Sequence, residues 1–423
     1  MHADTAHAVA VRDSWRALWS SRLLVWVVGI AAVGLFGVRS ANEAFDPRGL
    51  TRGLGRLGEA LAGPAARWDA AWYLVIAKSG YQPDLGAHTL ARAAFFPAYP
   101  LAIRAVSLAG VPLIVAGVLV SLCAFAAALY GIHRLTTLEF AHTERLESRQ
   151  PEQIARLAVL VMAFAPMAVF FSAIYTESFF LVFSVALFWC ARQGRWMWVG
   201  ITGAIAVATR SPGLVLALPA LTIYLYGPRE DRAPDRLTLV PPAGGAGSAI
   251  AYARRAAVAL RPRYRLRRDV LWLALLPAGI VVFAGSLALS GGEALAPLKA
   301  EHEVWGRQLV GPVVALWDAF HHPHVTTFAF LLAAVPAVVG VLRRLPPAYG
   351  LYVLAAIAVA ISSPAKGDPL LSLPRFLVVL FPLGMWLAVW LTERPRLRLP
   401  FLILSALAMA VFVARFATWR WAS

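Results

Sequence analysis

The chain alternates long apolar runs with short segments that carry arginine. A run of about 20 mostly apolar residues is long enough for one helix to cross a bilayer. Because backbone polar groups find no water in the hydrocarbon layer, such a run must form a helix that satisfies them internally. Hydrophobic residues are 60% of the 423 residues and charged residues only 14%, unlike soluble domains. The sequence therefore predicts an all-α polytopic membrane protein.

The apolar runs predict a bundle of about 11 transmembrane helices within a single domain, residues 1–423. Residues 95–108 are apolar but broken by Pro97 and Pro100, which favours a re-entrant or half-buried piece. The predicted spans are residues 22–38, 112–133, 155–174, 179–191, 197–209, 214–226, 270–290, 326–342, 348–362, 375–391 and 399–416.

Arginine placement predicts the topology. Arg12, Arg16 and Arg22 precede the first span, so the positive-inside rule predicts a cytoplasmic N-terminus. The net charge of +17 is explained by arginines in inner turns, and no basic helix or zinc spacing favours a nucleic-acid partner. The long connections are predicted to be a first outer loop at 39–94, a basic cytoplasmic loop at 227–269 and a second outer loop at 291–325.

The first outer loop contains an acid among aromatic residues, in the segment RWDAAWY. Residues 67–79 have helical spacing with Trp68 and Trp72 on one face, which predicts an interfacial helix. Partial desolvation would make the Asp69 carboxylate more basic, which suits a general base that removes a proton from a hydroxyl. The alternative is an exposed acid on an interfacial helix.

Glu177 lies in FFSAIYTESFF, between apolar residues on both sides. An ionisable group near a membrane boundary is a functional candidate because its burial is costly. The alternative is an acid favoured by the dipole at a helix start, with Thr176 or Ser178 as the cap.

Two arginines fall at predicted outer ends of spans, Arg210 and Arg375. Arginine forms paired hydrogen bonds to phosphate, so both are candidates for binding a lipid phosphate. Snorkelling toward lipid headgroups is the alternative for each. Lys366 is expected on the same outer side and is a third candidate. The histidines at 321, 322 and 324 are interpreted as a polar loop cluster, so no metal site is predicted.

The ordered motifs resemble the PIG-V family of mannosyltransferases, specifically its bacterial relatives, within the GT-C superfamily of multi-spanning glycosyltransferases. Four segments match in order, and a fifth near the C-terminal end is similar to the family's late motif. They are RWDAAWYLVIAKSGY at 67–81, FFPAYPLAIR at 95–104, FFSAIYTESFFLVFS at 170–184, TRSPGL at 209–214 and SLPRFLVVLFPL at 372–383.

The resemblance implies a GT-C-type bundle that transfers a mannosyl residue from a polyprenyl-phosphate donor to a lipid, glycan or protein hydroxyl, with inversion. It implies Asp69 as the catalytic acid of the first outer loop, and Glu177 on a matching segment. No cofactor is expected beyond the lipid-linked donor. The expected setting is the plasma membrane, among membrane lipids and a glycolipid or glycan acceptor. Aromatic residues expected to line the site are Trp68, Trp72, Tyr73, Tyr81, Tyr99 and Tyr175.

A multi-pass transporter or flippase for a lipid or polyprenyl phosphate is the alternative function. A transporter is expected to hold ionisable groups at mid-span and to consist of repeated halves. In this chain the acids cluster at predicted outer ends of spans, which favours the enzyme.

Overall fold

The computed structural model describes residues 3–38, 46, 49–51, 55–81, 89–141, 150–235, 261–365 and 367–420. Every regular element in these ranges is helical, which confirms the predicted all-α class. The α-helices are α1 (Ala3–Phe36), α2 (Gly55–Ala62), α3 (Ala70–Ser79), α4 (Thr89–Arg92), α5 (Ala98–Ser107), α6 (Leu113–Phe140), α7 (Gln150–Ala163), α8 (Glu177–Arg192), α9 (Trp196–Val207), α10 (Ala217–Tyr226), α11 (Ala278–Leu289), α12 (Ala296–Glu303), α13 (Pro312–His321), α14 (Val325–Arg344), α15 (Pro347–Ile361), α16 (Leu373–Val378), α17 (Phe381–Thr392) and α18 (Pro395–Ala417). Short 3₁₀ segments cover Gly63–Ala65, Ala168–Phe171, Ser211–Leu216 and Arg268–Leu275.

Long apolar helices confirm a polytopic membrane bundle. Five helical stretches in the described part of the chain are long and apolar enough to cross a bilayer, and shorter apolar helices accompany them. The total of about 11 spans stays a prediction. The five are Asp4–Phe36, Leu113–Phe140, Arg268–Leu289, Val325–Arg344 and Pro395–Ala417; the shorter ones are Trp196–Val207, Ser211–Tyr226, Pro347–Ile361 and Phe381–Thr392.

Helix α6 is the centre of the N-terminal part of the bundle. It packs against α1, α7 and α8, and its residues Phe125, Leu129 and Ile132 are completely buried. These positions follow one another at three- and four-residue steps, so they form one buried stripe on the helix. The same core includes buried residues of α3, which lies in the predicted first outer loop, and of α5.

The predicted span 155–174 is not one helix. Helix α7 ends at Ala163, three residues before Pro166, because proline lacks the N–H that would continue the helix. The carbonyls freed at this break need donors, since no water reaches them in an apolar interior. Arg22 supplies two: its Nη1 donates to the carbonyl of Ala168 at 2.7 Å and its Nη2 to that of Ala163 at 2.9 Å.

The predicted span 375–391 is also divided, into α16 and α17. The division falls at Val379 and Leu380, just before Pro382 in the first turn of α17. Proline is favoured in a first helical turn but cannot continue a preceding helix. As a result Arg375 lies on its own short helix rather than at the start of a long span.

The helix predicted over 67–79 runs from Ala70 to Ser79 and is not interfacial. Residues 70–77 are all buried, and α3 packs against α5 and α6. Amphipathic spacing indicates one apolar face, but here the protein covers every face. Asp69, directly before this helix, is therefore held by buried structure.

Glycine at 279 lets α11 approach α9 closely. A Cβ at Gly279 would lie 2.5 Å from the carbonyl oxygen of Ala204 and 2.9 Å from the backbone nitrogen of Ala208. Because both are backbone atoms, Gly279→Ala should force the helices apart and cost about 1–3 kcal/mol. Thermal unfolding of the detergent-solubilised protein, followed by circular dichroism, measures the loss.

Gly285 provides the matched control on the same helix, because a Cβ there meets no atom within 4 Å. Gly285→Ala should leave the melting temperature unchanged or raise it slightly, since alanine favours a helix over glycine. Equal melting temperatures for the two variants would contradict the close packing of α11 on α9.

Candidate active site

A cavity of about 210 Å³ lies where segments far apart in the sequence meet. Its walls come from the start of α3, the segments before α8 and after α9, the end of α12, and α16. Three residues predicted from the sequence as functional groups line it: Asp69, Arg210 and Arg375. Further lining residues include Tyr73, Phe95, Phe96, Thr176, Ser211, Pro212, Glu301, Trp305, Arg307, Ser372 and Phe376.

Asp69 is fixed by a tight turn. Trp68 adopts a left-handed backbone conformation with φ of +54°, which is uncommon for a residue other than glycine. The Asp69 N–H donates to the hydroxyl of Tyr175 at 3.0 Å, and that hydroxyl donates to the carbonyl of Arg67 at 3.3 Å. Although Asp69 precedes α3, its carboxylate does not cap that helix, which leaves the carboxylate available to the cavity.

Arg375 neutralises two acids at once. Its Nη1 is 3.1 Å from Oδ2 of Asp69, and its Nε is 3.1 Å from Oε1 of Glu177. The guanidinium also lies over the ring of Tyr175, 5.4 Å from the centroid. Burial disfavours its charge, but Glu177 and then Asp69 outweigh this effect, so the pKa of Arg375 is raised above its usual value. The guanidinium is therefore a permanent cation between the carboxylates.

Glu177 and Arg210 extend this charge cluster, with Arg210 on the cavity wall and Glu177 buried behind it. Glu177 begins α8 and is only 1% exposed, so it lies behind Arg375 rather than on the wall. Arg210 Nη1 is 3.4 Å from Glu177 Oε1, and its guanidinium lies over Phe376, 4.4 Å from the ring centroid. Burial lowers the pKa of Arg210, while Glu177 opposes that shift. The four residues thus form a chain of alternating charge.

A second charged pair faces the first from the predicted second outer loop. Arg307 Nε is 3.4 Å from Oε2 of Glu301, and both line the cavity together with Trp305. Desolvation raises the pKa of Glu301; Arg307 opposes this and Asp69 adds to it. The sequence predicts residues 291–325 as a second outer loop but does not place Glu301 or Arg307 among the predicted site residues. One sequence signal could have indicated this pair. Trp305 and Arg307 combine an aromatic residue with an arginine in a predicted outer loop, as Arg67 and Trp68 do beside Asp69.

Of the six aromatic residues expected around the site, one lines the cavity and five do not. Tyr73 lies on the cavity wall. Trp72 stacks behind Phe95, with ring centroids 5.5 Å apart. The remaining four lie deeper or to the side: Trp68 contacts Trp419, the Tyr81 hydroxyl donates to the carbonyl of Phe95, Tyr99 pairs with Ser121, and Tyr175 holds the turn at Asp69.

Lys366, the third candidate for binding phosphate, lies outside the described residues. No group of three or more potential metal ligands occurs among the residues that the structure describes. The four charged residues that can be placed, at 69, 177, 210 and 375, do come together. The arrangement combines a positioned carboxylate with two guanidinium groups, which can accept a proton and bind a phosphate at neighbouring points.

Comparison with known proteins agrees with the motifs. Residues 20–222 match the family model described as Mannosyltransferase (PIG-V). Over 186 residues, 41% of this chain, the sequence is 32% identical to GPI alpha-1,6-mannosyltransferase 2 of Rattus norvegicus and covers 35% of that protein. The matched part is thus about a third of the length of this curated relative. No solved structure matches. The family resemblance is confirmed over residues 20–222, and the bacterial origin stays a prediction.

Removal of the guanidinium at position 375 should destabilise the fold. Arg375→Met would leave the carboxylates of Asp69 and Glu177 without this cation, and breaking a buried pair typically costs about 3–5 kcal/mol. Arg344→Met is the matched control, because Arg344 and Glu393 form an exposed pair worth about 0–1 kcal/mol. Thermal unfolding in detergent compares the two variants.

A double variant tests the cause. Asp69→Asn in the Arg375→Met background removes the carboxylate that has lost its cation, whereas Glu177 keeps its pair with Arg210, and it should restore part of the lost stability. Equal destabilisation by Arg375→Met and Arg344→Met, with no recovery in the double variant, would contradict the structural role of this charge cluster.

Proposed function

We propose that this chain, whose residues 20–222 match the PIG-V mannosyltransferase family model, is a multi-pass membrane mannosyltransferase. Its donor is a polyprenyl-phosphate mannose and its acceptor a hydroxyl of a lipid, glycan or protein. The observation that supports this is the meeting of the Asp69 carboxylate and the Arg375 guanidinium at one cavity, 3.1 Å apart. The two groups match the two requirements of the reaction, proton removal and stabilisation of a leaving phosphate.

The reaction is a single displacement at the anomeric carbon. The acceptor oxygen attacks C1 of the mannosyl residue from the face opposite the phosphate, and a new C1–O bond forms. The bond between C1 and the phosphate oxygen breaks, and its electron pair leaves with polyprenyl phosphate. The hydroxyl proton passes to the Asp69 carboxylate. Because attack is from the opposite face, the anomeric configuration is inverted.

The arginines bind the charge that develops on the leaving group. Arg375 exchanges its contact with Asp69 for the donor phosphate, which places the phosphate in the cavity and frees the carboxylate to accept a proton. Arg210 lines the same cavity and provides a second cation. Glu177, behind both arginines, is a positioning residue. A monophosphate leaving group held by two guanidinium groups requires no metal ion in this mechanism.

The enzyme acts at the outer face of the plasma membrane with its N-terminus in the cytoplasm. The first outer loop then presents Asp69 to an acceptor outside, while the polyprenyl chain stays among the membrane helices. Transport is supported less well. Three of the charged residues predicted from the sequence, Asp69, Arg210 and Arg375, line one cavity and are not spread along a path through the bilayer.

Asp69→Asn keeps the size of the side chain but removes the basic carboxylate. We expect transfer of radiolabelled mannose from polyprenyl-phosphate mannose to fall about 10²–10⁴-fold, the usual contribution of a general base. Asp318→Asn is the matched control, because Asp318 is exposed on α13 away from the cavity lining.

The Asp69→Asn protein should elute from size exclusion as the unsubstituted protein does, so the loss would be chemical rather than structural. Turnover of this variant within twofold of the Asp318→Asn control would refute Asp69 as the general base.

Cysteine labelling tests the orientation. In a background with Cys123 and Cys190 replaced by alanine, Leu309→Cys should react with a membrane-impermeant maleimide in intact cells, because residue 309 is 84% exposed in the predicted second outer loop. Arg265→Cys, in the predicted basic cytoplasmic loop, should react only after permeabilisation. The reverse pattern would invert the proposed topology.

A further inference from the structure

We propose that Trp305, Glu301 and Arg307 form a pyranose-binding subsite on the wall of the cavity that Arg375 also lines. The apolar C–H face of a sugar ring would pack on the indole, and its hydroxyls would bond to the carboxylate and the guanidinium. This inference deepens the proposed transfer of a sugar and rests on it. It assigns a substrate role to residues of the second outer loop, outside the matched range 20–222.

The indole of Trp305 is accessible, whereas the aromatic residues beneath it are packed. Trp305 lines the cavity and is 36% exposed. Its plane stands at 72° to both Trp72 and Phe95, at centroid distances of 6.4 and 6.1 Å. Those two rings stack on each other and are buried. Trp305 therefore has an aromatic support on one side and remains available to a ligand in the cavity.

Two polar groups of opposite charge flank the indole. The Glu301 carboxylate accepts hydrogen bonds and the Arg307 guanidinium donates them, which suits hydroxyl groups that do both. Their mutual contact of 3.4 Å is longer than a close ion pair, so a hydroxyl can bridge them without breaking a strong bond. An aromatic surface with a few convergent polar groups is the usual composition of a site for a small polar ligand.

Hydrogen bonds at the end of α12 fix the backbone that carries these three residues. The N–H groups of Val304 and Trp305 both donate to the carbonyl of Ala300, at 3.0 and 3.2 Å. The Arg307 N–H donates to the carbonyl of Glu301 at 2.9 Å, which closes the turn. Gly306 between them has φ of +61°, a conformation that glycine adopts without strain.

Buried packing holds this turn against the rest of the protein. Ala296 and Ala300 of α12 pack in a small core with Ala93 and with Phe283 of α11. Arg307 Nη2 also donates to Ser372 Oγ at 3.3 Å, on the segment that leads into α16. Because the turn is already anchored, its backbone does not have to be ordered when a sugar binds, which lowers the entropic cost of binding.

The subsite adjoins the reacting groups. Asp69 and Arg375 line the same cavity as Trp305, and Asp69 is close enough to Glu301 to raise its pKa. A ring held at Trp305 would therefore lie next to the phosphate at Arg375. That ring can be the mannosyl residue of the donor or a sugar of the acceptor, and both offer the same C–H face and hydroxyls.

Saturation-transfer difference NMR tests the subsite without requiring turnover. The probe is methyl α-D-mannopyranoside, added to the full-length protein in nanodiscs. In Trp305→Ala, the Kd obtained by titrating this signal with the methyl mannoside should rise about tenfold, equivalent to about 1.4 kcal/mol of binding free energy. Trp305→Phe keeps an aromatic surface and should retain much of the signal, whereas Glu301→Gln should weaken it.

Trp317→Ala is the matched control. Trp317 lies in the same predicted outer loop and is 69% exposed, but it contacts His321 rather than the cavity. Its removal should leave the signal unchanged. No signal from the unsubstituted protein, or equal signals from the Trp305→Ala and Trp317→Ala proteins, would overturn the subsite.

Addition of polyprenyl-phosphate mannose distinguishes the two sources of the ring. Loss of the methyl mannoside signal assigns the subsite to the donor sugar, and persistence of the signal assigns it to a sugar of the acceptor. Both results support the subsite. This experiment measures binding and not turnover. If the unsubstituted protein shows no mannosyl transfer, the proposed function fails, and the binding result at Trp305 still decides whether the subsite exists.

Discussion

The ion pairs of the Arg375 guanidinium with the carboxylates of Asp69 and Glu177 are the interactions on which the end of the bundle around the cavity depends. Arg375 and Asp69 are 306 residues apart in the sequence. A buried carboxylate without a compensating cation is strongly destabilising. The turn before α3, the start of α8 and the short helix α16 must therefore assemble together. The same assembly that compensates the charge of the buried acids also brings the proposed base, Asp69, and the proposed phosphate-binding group, Arg375, to one cavity.

Irregular backbone within an otherwise helical protein makes this assembly possible. Helix α7 stops before Pro166, and the freed carbonyls receive hydrogen bonds from side chains on distant helices. Arg22 of α1 serves Ala163 and Ala168, and Ser405 of α18 donates to the carbonyl of Phe164 at 2.8 Å. With these groups satisfied, the chain can turn inside the apolar region. That turn presents Thr176 to the cavity and Glu177 to the two arginines, Arg210 and Arg375, that line it.

The sequence predicted the helices and the principal charged residues, because each leaves a local signal. Apolar runs marked α1 and α6, and order-dependent motifs pointed to Asp69, Glu177, Arg210 and Arg375. The breaks in predicted spans could not be placed, since a proline shows that a helix ends but not which donors bond to the carbonyls that it frees. The burial of α3 was missed because amphipathic spacing does not reveal a cover supplied by other segments. The Glu301–Arg307 pair was missed because a loop charge becomes part of a site only through tertiary contacts.

The bond from Arg307 to Ser372 connects the turn that covers the cavity with the helix that carries Arg375. Ser372 has a left-handed backbone and directly precedes α16, so a displacement of the turn would be transmitted to the first residues of that helix. Loop position and charge compensation at Asp69 are then mechanically linked. If the proposed transfer takes place at this cavity, an acceptor large enough to displace the turn would also loosen the contact between Asp69 and Arg375, whereas a water molecule would be too small to do so.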